Sequence, residues 1–502
     1  MDRGSIRAVR TPATARFLPA VERADWERAL KILDENWVEI WFAIDPTDLR
    51  SLVGAAPPDL LCSLDGASYV ARATGHGAVD DLLEPHAVPG RDATPGELIR
   101  YIADLRLRGR PVEALAQVRR SQELVRAQRG GLLDGSGGTV AMWLVQAAIT
   151  ALLAGDASTA RGFFLTACDA HRPDRFPFVV REATAKLALT HALSGDVREA
   201  AHLNDRARSL PRTESWVEAM VDDTIWLTDY ICAVDTLDPS AEELRQARPS
   251  PLAHRELWPI ALQAHVRHLV LTGRRRRAEE LCDTVAAAVP PSAGSEGLLA
   301  TALPDARTLI KLHGVHPSDL DGNAAHTDVS VLAHAVHLFA SGQYRAVMQV
   351  ELRARRDERC RRALALLRAQ ATIADGRPAE GRHLLLQTVH EVLERRTYGT
   401  LRYLTRETLE SIADTDDGAR AIALVESAAL PSVEVRAVLA APLSEAEIDV
   451  LRLLRDGLTR EEMATRLFLS VNTVKTQLRS AYRKLGVNRR PEALEKLALL
   501  EL

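Results

Sequence analysis

Apolar residues recur along most of the chain with the spacing of amphipathic helices, and short breaks separate the apolar runs. Runs such as LALTHALSG and HVRHLVLTG place apolar side chains three or four positions apart, as on a helix with one buried face. Several runs lead into a short phrase that begins with a small residue and has another five positions later. The copies are ADWERA (24–29), GRPVEA (109–114), GDASTA (155–160), GDVREA (195–200), GRRRRA (273–278), GQYRAV (342–347) and GRPAEG (376–381).

The spacing of these copies predicts stacked helical hairpins. Successive copies lie mostly 34–46 residues apart or at about twice that distance, and LDPSAEEL at 237–244 stands where a missing copy would fall. The glycine is expected to end the first helix in a left-handed cap, and the later small residue lets the second helix cross closely. The phrase resembles tetratricopeptide-like repeats, although the aromatic positions of the strict consensus are mostly absent. We therefore expect an all-α tetratricopeptide-like solenoid.

The repeat region is expected to span residues 21–436, after a flexible N-terminal tail at 1–20 and before a separate domain at 437–502. Stretches rich in glycine and proline predict breaks in the solenoid near 64–96 and 289–328.

Composition agrees with a helical protein of a reducing compartment. Of the 502 residues, 46% are hydrophobic and only 4% aromatic, and the five cysteines are far apart without a C-x-x-C pair. The longest uncharged apolar stretch, VAMWLVQAAITALLAG, is shorter than the ~20 residues of a membrane span. The N-terminus lacks the apolar core of a secretory signal. We expect a cytoplasmic protein.

The last sixty residues follow a different pattern, with marked helix starts. Ser444 with Glu447 forms a capping box before the first predicted helix. Thr459 with Glu462 forms a second box, and Ser470 is placed to cap the third helix. The predicted helices cover 445–456, 460–467 and 471–485, with a fourth from about 490. Two short helices joined by a tight turn, the second strongly basic, predict a helix-turn-helix.

The third predicted helix has two different faces. Val474, Leu478, Ala481 and Leu485 form an apolar stripe at helical spacing. The opposite face carries side chains that read base edges in a major groove, namely Asn472, Lys475, Thr476 and Arg479. Four further cations are expected beside phosphates, namely Arg483, Lys484, Arg489 and Arg490. No carboxylate lies between Met463 and Pro491, although the whole chain has 68 acidic against 64 basic residues.

The segments LSEAEIDVLRLL, GLTREEMATRLFLS and NTVKTQLRSAYRKLGV resemble the LuxR/FixJ-type DNA-binding domain over about sixty residues. The resemblance implies base contacts by Lys475, Thr476 and Arg479. It places Thr473 and Gln477 nearer the DNA backbone, and with Ser470 they join the phosphate-facing set. The position of Gln477 is commonly histidine in that family. The fourth helix is the family's usual dimer contact, which makes Leu494, Leu497, Ala498 and Leu500 candidates for a homodimer interface.

ADWERALKILDENW and DLRSLVGAAPPDLL resemble the start of the helical arm in large regulators similar to the maltose-regulon activator. Those regulators carry a nucleotide-binding domain before the arm. This chain has no GxxxxGK[ST] motif, so a nucleotide-driven switch is not expected.

The sequence offers no other signature of a cofactor or of catalysis. Three H-x-x-H pairs, His265/His268, His313/His316 and His334/His337, lack further ligands that would complete a metal site. We therefore expect a regulator, not an enzyme, that binds double-stranded DNA and senses a ligand or protein through its helical repeats, with RNA polymerase a further candidate partner. The alternative is a helical-repeat interaction scaffold with non-specific DNA affinity.

Overall fold

The fold is helical throughout the residues that the computed structural model describes. These are residues 8–64, 67, 70–71, 88–90, 93–129, 139–169, 178–289, 294–312, 327–352, 357–428, 430, 445–485, 487, 489–490 and 493–494. Within them the only strand-like pairing is an isolated antiparallel bridge between Ala8 and Ile44. None of the described helices is both long and apolar enough to span a membrane. The expected all-α fold class is confirmed.

The chain divides into two compact units. The first unit comprises residues 1–264 and 285–303, and the second comprises residues 265–284 and 304–502. The helices before residue 250 are α1 (Thr14–Glu22), α2 (Trp26–Glu35), α3 (Trp37–Ala43), α4 (Pro46–Val53), α5 (Pro58–Cys62), α6 (Pro95–Leu107), α7 (Pro111–Arg129), α8 (Thr139–Leu153), α9 (Ala157–Cys168), α10 (Val179–Leu193), α11 (Val197–Ser209), α12 (Val217–Asp235) and α13 (Ser240–Ala247).

A 3-10 helix at Pro251–Leu257 precedes three helices that contain residues of both units, α14 (Trp258–Leu271), α15 (Arg275–Ala288) and α16 (Gly297–Leu312). The remaining helices belong to the second unit. They are α17 (Asp328–Ala340), α18 (Tyr344–Gln349), α19 (Glu358–Ala374), α20 (Pro378–Arg395), α21 (Arg406–Glu410), α22 (Asp416–Ser427), α23 (Glu445–Arg455), α24 (Arg460–Leu467) and α25 (Val471–Leu485), with a second 3-10 helix at Tyr398–Tyr403.

Each copy of the repeated phrase has a left-handed turn at its first residue. The φ angle lies between +71° and +87° at Gly109, Gly155, Gly195, Gly273, Gly342 and Gly376. Ala24 and Leu237, which stand where other copies have glycine, also have positive φ angles of 55° and 57°. The next amide then donates to the carbonyl five residues back, as from Asp156 to Ala151 at 2.8 Å. This is the hydrogen bond of a Schellman motif, so the helix ends there and the chain reverses.

The second small residue of the phrase is buried where the two helices of a hairpin cross. Ala29, Ala114, Ala160, Ala200 and Ala278 are fully buried. At Gly381 an added Cβ would come within 2.7 Å of the Ala369 carbonyl oxygen, so α19 and α20 approach each other closely there. The small side chain is therefore a packing requirement of the hairpin.

Residues 8–20 of the expected flexible tail are described by the structure and include most of α1. Phe17 on α1 is 2% exposed, and the Ala13 amide donates to Glu39 Oε1 at 2.8 Å. Apolar side chains that α1 can bury explain why this short segment is held in the fold. Most of the break predicted at 64–96, and residues 313–326 of the other break, lie outside the described residues, and α16 occupies the middle of the second break. The predicted boundaries at 436 and 437 stay predictions.

Candidate nucleic-acid interface

Helices α23, α24 and α25 enclose a small hydrophobic core. The core consists of buried side chains from all three helices, namely Val450, Leu451, Leu453, Leu454, Met463, Ala464, Val474, Leu478 and Ala481, with Val487 and Ala493 beyond them. The predicted apolar stripe of α25 is therefore confirmed at Val474, Leu478 and Ala481, whereas the side chain of Leu485 lies outside the described residues. Burial of this stripe fixes which face of α25 is turned outward.

The capping box predicted at the start of α24 is present. Thr459 Oγ1 accepts from the Glu462 amide at 3.3 Å, and Glu462 Oε2 accepts from the Thr459 amide at 2.7 Å. The hydrogen bond from the Thr459 backbone favours the carboxylate form and so lowers the pKa of Glu462. The box satisfies backbone amides at the start of α24 and so fixes where this first helix of the helix-turn-helix begins. Ser444 of the other predicted box lies outside the described residues.

The turn between α24 and α25 is tight and left-handed. Phe468 has a φ angle of 56°, and the Leu469 amide donates to the Ala464 carbonyl at 2.9 Å. Ser470 then caps α25 by accepting from the Thr473 amide at 3.1 Å. Phe468 is 96% exposed, which the sequence pattern did not predict because its spacing matches a core position.

The four predicted base-facing side chains all lie on the exposed face of α25, namely Asn472, Lys475, Thr476 and Arg479. Thr476 donates its hydroxyl to the Asn472 carbonyl at 2.9 Å, so its methyl group and oxygen lone pairs are the parts left to contact another molecule. Lys475 and Arg479 form no ion pair within the part of the chain that the structure describes. The face thus combines free cations with short polar side chains, the groups that read base edges in a major groove.

The predicted phosphate-facing residues have different surroundings. Ser470 and Thr473 are exposed at the start of α25, with their hydroxyls 2.8 Å apart. Gln477 is half-buried, and its Oε1 has no hydrogen-bond partner among the described residues. Arg489 is exposed without an ion pair in the described range, whereas Arg490 donates to the Leu454 carbonyl at 3.2 Å.

Arg490 therefore has a structural contact that sequence reasoning missed, because it satisfies a carbonyl at the end of α23. The side chains of Arg483 and Lys484 lie outside the described residues. Arg466, on the last turn of α24, is exposed and is a further cation near this surface. Arg466 lies in the stretch without carboxylates between Met463 and Pro491, which is the sequence feature that indicates it. DNA contacts were expected only from Ser470 onward.

The start of the predicted fourth helix also contributes to the core. Ala493 is fully buried, and Leu494 packs against the core cluster. The other proposed dimer contacts, Leu497, Ala498 and Leu500, lie outside the described residues. A dimer contact through Leu494 stays a prediction, and part of this side chain is already used within its own domain.

The histidine pairs do not assemble into a metal site within the described residues. His265 and His268 are buried, and His268 Nε2 lies 3.1 Å from Arg274 Nη2. A guanidinium at that distance disfavours a bound cation. No group of three or more metal-ligating side chains occurs in the part of the chain that the structure describes, and His313 and His316 lie outside it.

A model of the family described as bacterial regulatory proteins, luxR family, matches residues 441–497. The matched range contains α23, α24 and α25 together with the start of the fourth helix. The resemblance to a LuxR-type domain is therefore confirmed for this part of the chain. These residues form a helix-turn-helix domain of the kind that binds DNA in transcription regulators.

Proposed function

From the LuxR-type domain at residues 441–497, we propose that the protein regulates transcription by placing α25 in the major groove of promoter DNA. The observation that carries this proposal is the segregation of α25 into two faces. One face is buried in the domain core, and the other exposes Asn472, Lys475, Thr476 and Arg479 without any carboxylate. A helix held in this way presents its polar face to base edges, as the second helix of a helix-turn-helix does.

The proposed phosphate contacts surround this face. Ser470 and Thr473 are exposed at the N-terminus of α25, where backbone amides and the helix dipole also favour an anion. Gln477 and Arg489 would contact the backbone farther along, with Arg466 of α24 as an addition. Arg490 would contribute only the part of its guanidinium that does not bond to α23. Arg483 and Lys484 remain proposed contacts on sequence grounds.

We further propose that the helical-repeat region senses a ligand or protein and that the protein binds two half-sites as a homodimer. A ligand that binds one conformation of the protein better than another would shift the population toward it and so change DNA affinity. Contact with RNA polymerase belongs to the same proposal. The left-handed glycine turns and buried small residues of the hairpins support a tetratricopeptide-like arm as the sensing part.

The test is selection of genomic fragments on the full-length protein, followed by competition with random DNA at moderate salt. A regulator is expected to retain particular fragments well beyond bulk DNA, since specific sites are typically bound ~10³-fold or more tighter than non-specific DNA. Retention of every fragment to the same extent as bulk DNA would contradict the proposal. That result would favour a helical-repeat scaffold with non-specific DNA affinity.

A further inference from the structure

The first unit contains a cavity of about 250 Å³ that the DNA-binding function does not use. Its walls come from α3, α6, α8, α10, α12 and the 3-10 helix at Pro251–Leu257, which are far apart in sequence. Cavities that combine an apolar wall with a few placed polar groups are the usual form of small-molecule sites. The volume is enough for a compound of one or two rings.

Aromatic side chains form one wall of the cavity. Trp41 and Trp216 meet edge to face with ring centroids 5.7 Å apart, and Phe42 stacks on Trp216 at 6.2 Å. Trp216 Nε1 donates to the Trp41 carbonyl at 2.7 Å, which fixes the indole in place. Flat, rigid rings of this kind favour a flat ring compound as the occupant.

A buried ion pair lies in another wall of the same cavity. Lys186 Nζ donates to Glu182 Oε1 at 2.9 Å, and both side chains are about 95% buried, with exposed fractions of 4% and 5%. Glu182 Oε2 is also buried, and it has no hydrogen-bond partner among the described residues. An ammonium carries three donors, of which this pair uses one. The pair therefore offers an unused acceptor next to unused donors, at a site where leaving them unused is costly.

The charged side chains that line the cavity balance in number, with Arg106, Lys186 and Arg255 against Glu182, Asp223 and Glu256. Arg106 is buried and donates to Gln146 Oε1 at 2.6 Å and to Glu256 Oε2 at 3.2 Å. His254 is buried with neither ring nitrogen hydrogen-bonded in the described residues, and burial lowers its pKa to about 4, so its ring is neutral. The cavity therefore favours neither cationic nor anionic ligands.

The backbone next to the cavity is strained at one residue. Arg255 has a φ angle of 50° and a ψ angle of −125°, and its guanidinium carbon lies 5.9 Å from the centroid of the Trp216 ring. Residues held in sparsely populated conformations concentrate at binding sites. This backbone strain is a separate observation from the ion pair, and Arg255 lines the same cavity.

We propose that this cavity binds a small, uncharged, flat ring compound that carries an N–H donor beside a carbonyl acceptor, as an amide or lactam does. Glu182 Oε2 accepts from the ligand N–H, Lys186 donates to the carbonyl, and the ring lies against Trp41 and Trp216. A cation would be repelled by Lys186, and a carboxylate would be repelled by Glu182. The inference rests on the proposed sensing role of the helical repeats and names a site and a ligand class for it.

The test compares three compounds of nearly the same shape, benzamide, benzamidine and benzoate, on the full-length protein. Binding is measured by titration calorimetry and by tryptophan fluorescence up to ~10 mM compound. Benzamide is expected to bind about tenfold more tightly than either charged compound, because only benzamide satisfies both members of the ion pair. Absence of benzamide binding in this range, or binding of a charged compound at least as tightly, would overturn the proposal.

Glu182→Gln provides the matched variant. In this variant Lys186 hydrogen-bonds the side-chain amide oxygen, so an NH₂ group takes the place of Oε2. The affinity for benzamide is expected to fall about tenfold, and the ratio of benzamide affinity to benzoate affinity is expected to decrease. Glu242→Gln is the control, because Glu242 pairs with Arg245 at 2.7 Å and does not line the cavity. Unchanged benzamide binding in Glu182→Gln, or an equal loss in the control, would refute the assignment.

If circular dichroism shows that Glu182→Gln is unfolded, the double variant Glu182→Gln/Lys186→Met replaces it, since it leaves no buried charge. It is expected to lose the benzamide preference, and retention of that preference counts against the proposal. Fragment retention without any compound is measured in parallel. If benzamide does not bind but the protein still selects DNA fragments, only this inference is overturned. If benzamide binds but the protein does not select DNA fragments, only the proposed regulator is overturned.

Discussion

Replacing Arg479 by alanine is expected to relax the base specificity of the DNA-binding domain without changing its fold. Arg479 is exposed on α25, forms no ion pair within the described residues, and lies opposite the core stripe. Its removal therefore leaves no buried charge and no cavity. Alanine is also the best helix former, so the free energy of unfolding should change by less than ~0.5 kcal/mol.

The expected loss on DNA follows from the contact that Arg479 is proposed to make. A bidentate contact from arginine to a guanine contributes about 1–3 kcal/mol of discrimination, which corresponds to roughly 5- to 150-fold in affinity. A site already mismatched at that base pair has lost this contribution. Arg479→Ala should therefore weaken the selected fragment by this factor and weaken the mismatched fragment much less.

The assay is competition between a selected genomic fragment and the same fragment with single base-pair substitutions, over a range of salt concentrations. Arg489→Ala is the matched control, because Arg489 is also exposed but is proposed to contact phosphate. The control should weaken all sequences alike and reduce the salt slope by about one. Equal losses for Arg479→Ala on matched and mismatched fragments, or relaxed specificity in the control, would refute the division of α25 into base and phosphate contacts.

Three further predictions concern stability. Thr459→Ala removes the hydroxyl of the capping box of α24 and should lower the free energy of unfolding by ~1 kcal/mol in urea titrations at neutral pH. The Thr459 amide, which alanine keeps, and the Thr459 hydroxyl, which alanine lacks, both lower the pKa of Glu462, so the part of the difference that comes from the hydroxyl should shrink as pH falls below the ordinary value of 4.5. Gly381→Ala places a Cβ 2.5 Å from Ile373 Cγ1 and should lower the free energy of unfolding by about 1–3 kcal/mol, and an unchanged thermal midpoint would contradict the close approach of α19 and α20. Burial lowers the pKa of His254 from 6.5 to about 4, so the unfolded chain takes up the proton first and stability should fall by up to ~3 kcal/mol as pH decreases across that window. His254→Phe should remove this part of the pH dependence, and an unaltered slope would contradict it.

The sequence allowed the hairpin turns to be predicted because their cause is local. A glycine after an apolar run is compatible with positive φ, and each of the six repeat glycines has it. Ala24 and Leu237 adopt the same conformation without glycine, which single-residue preferences do not indicate. There the packing of neighbouring helices outweighs the local cost.

The polar and apolar faces of α25 were also predictable, because they follow directly from helical periodicity. The contact of Arg490 with the Leu454 carbonyl was not predictable, since the two residues lie 36 positions apart and the contact depends on how α23 packs. The cavity in the first unit was not predictable from the sequence either. Trp41, Glu182 and Trp216 have no shared sequence pattern, and only the fold brings them to one site.

The acid-free surface of α25 has a consequence for how DNA binding responds to the cell's conditions. Residues 441–502 contain no histidine, and glutamine occupies position 477 where LuxR-type domains commonly have histidine. Lysine and arginine keep their protons throughout the physiological pH range, so the charge of the interface is constant there. Its affinity for DNA should therefore follow ionic strength and remain indifferent to acidification, and any acid response of the regulator would have to originate in the helical repeats.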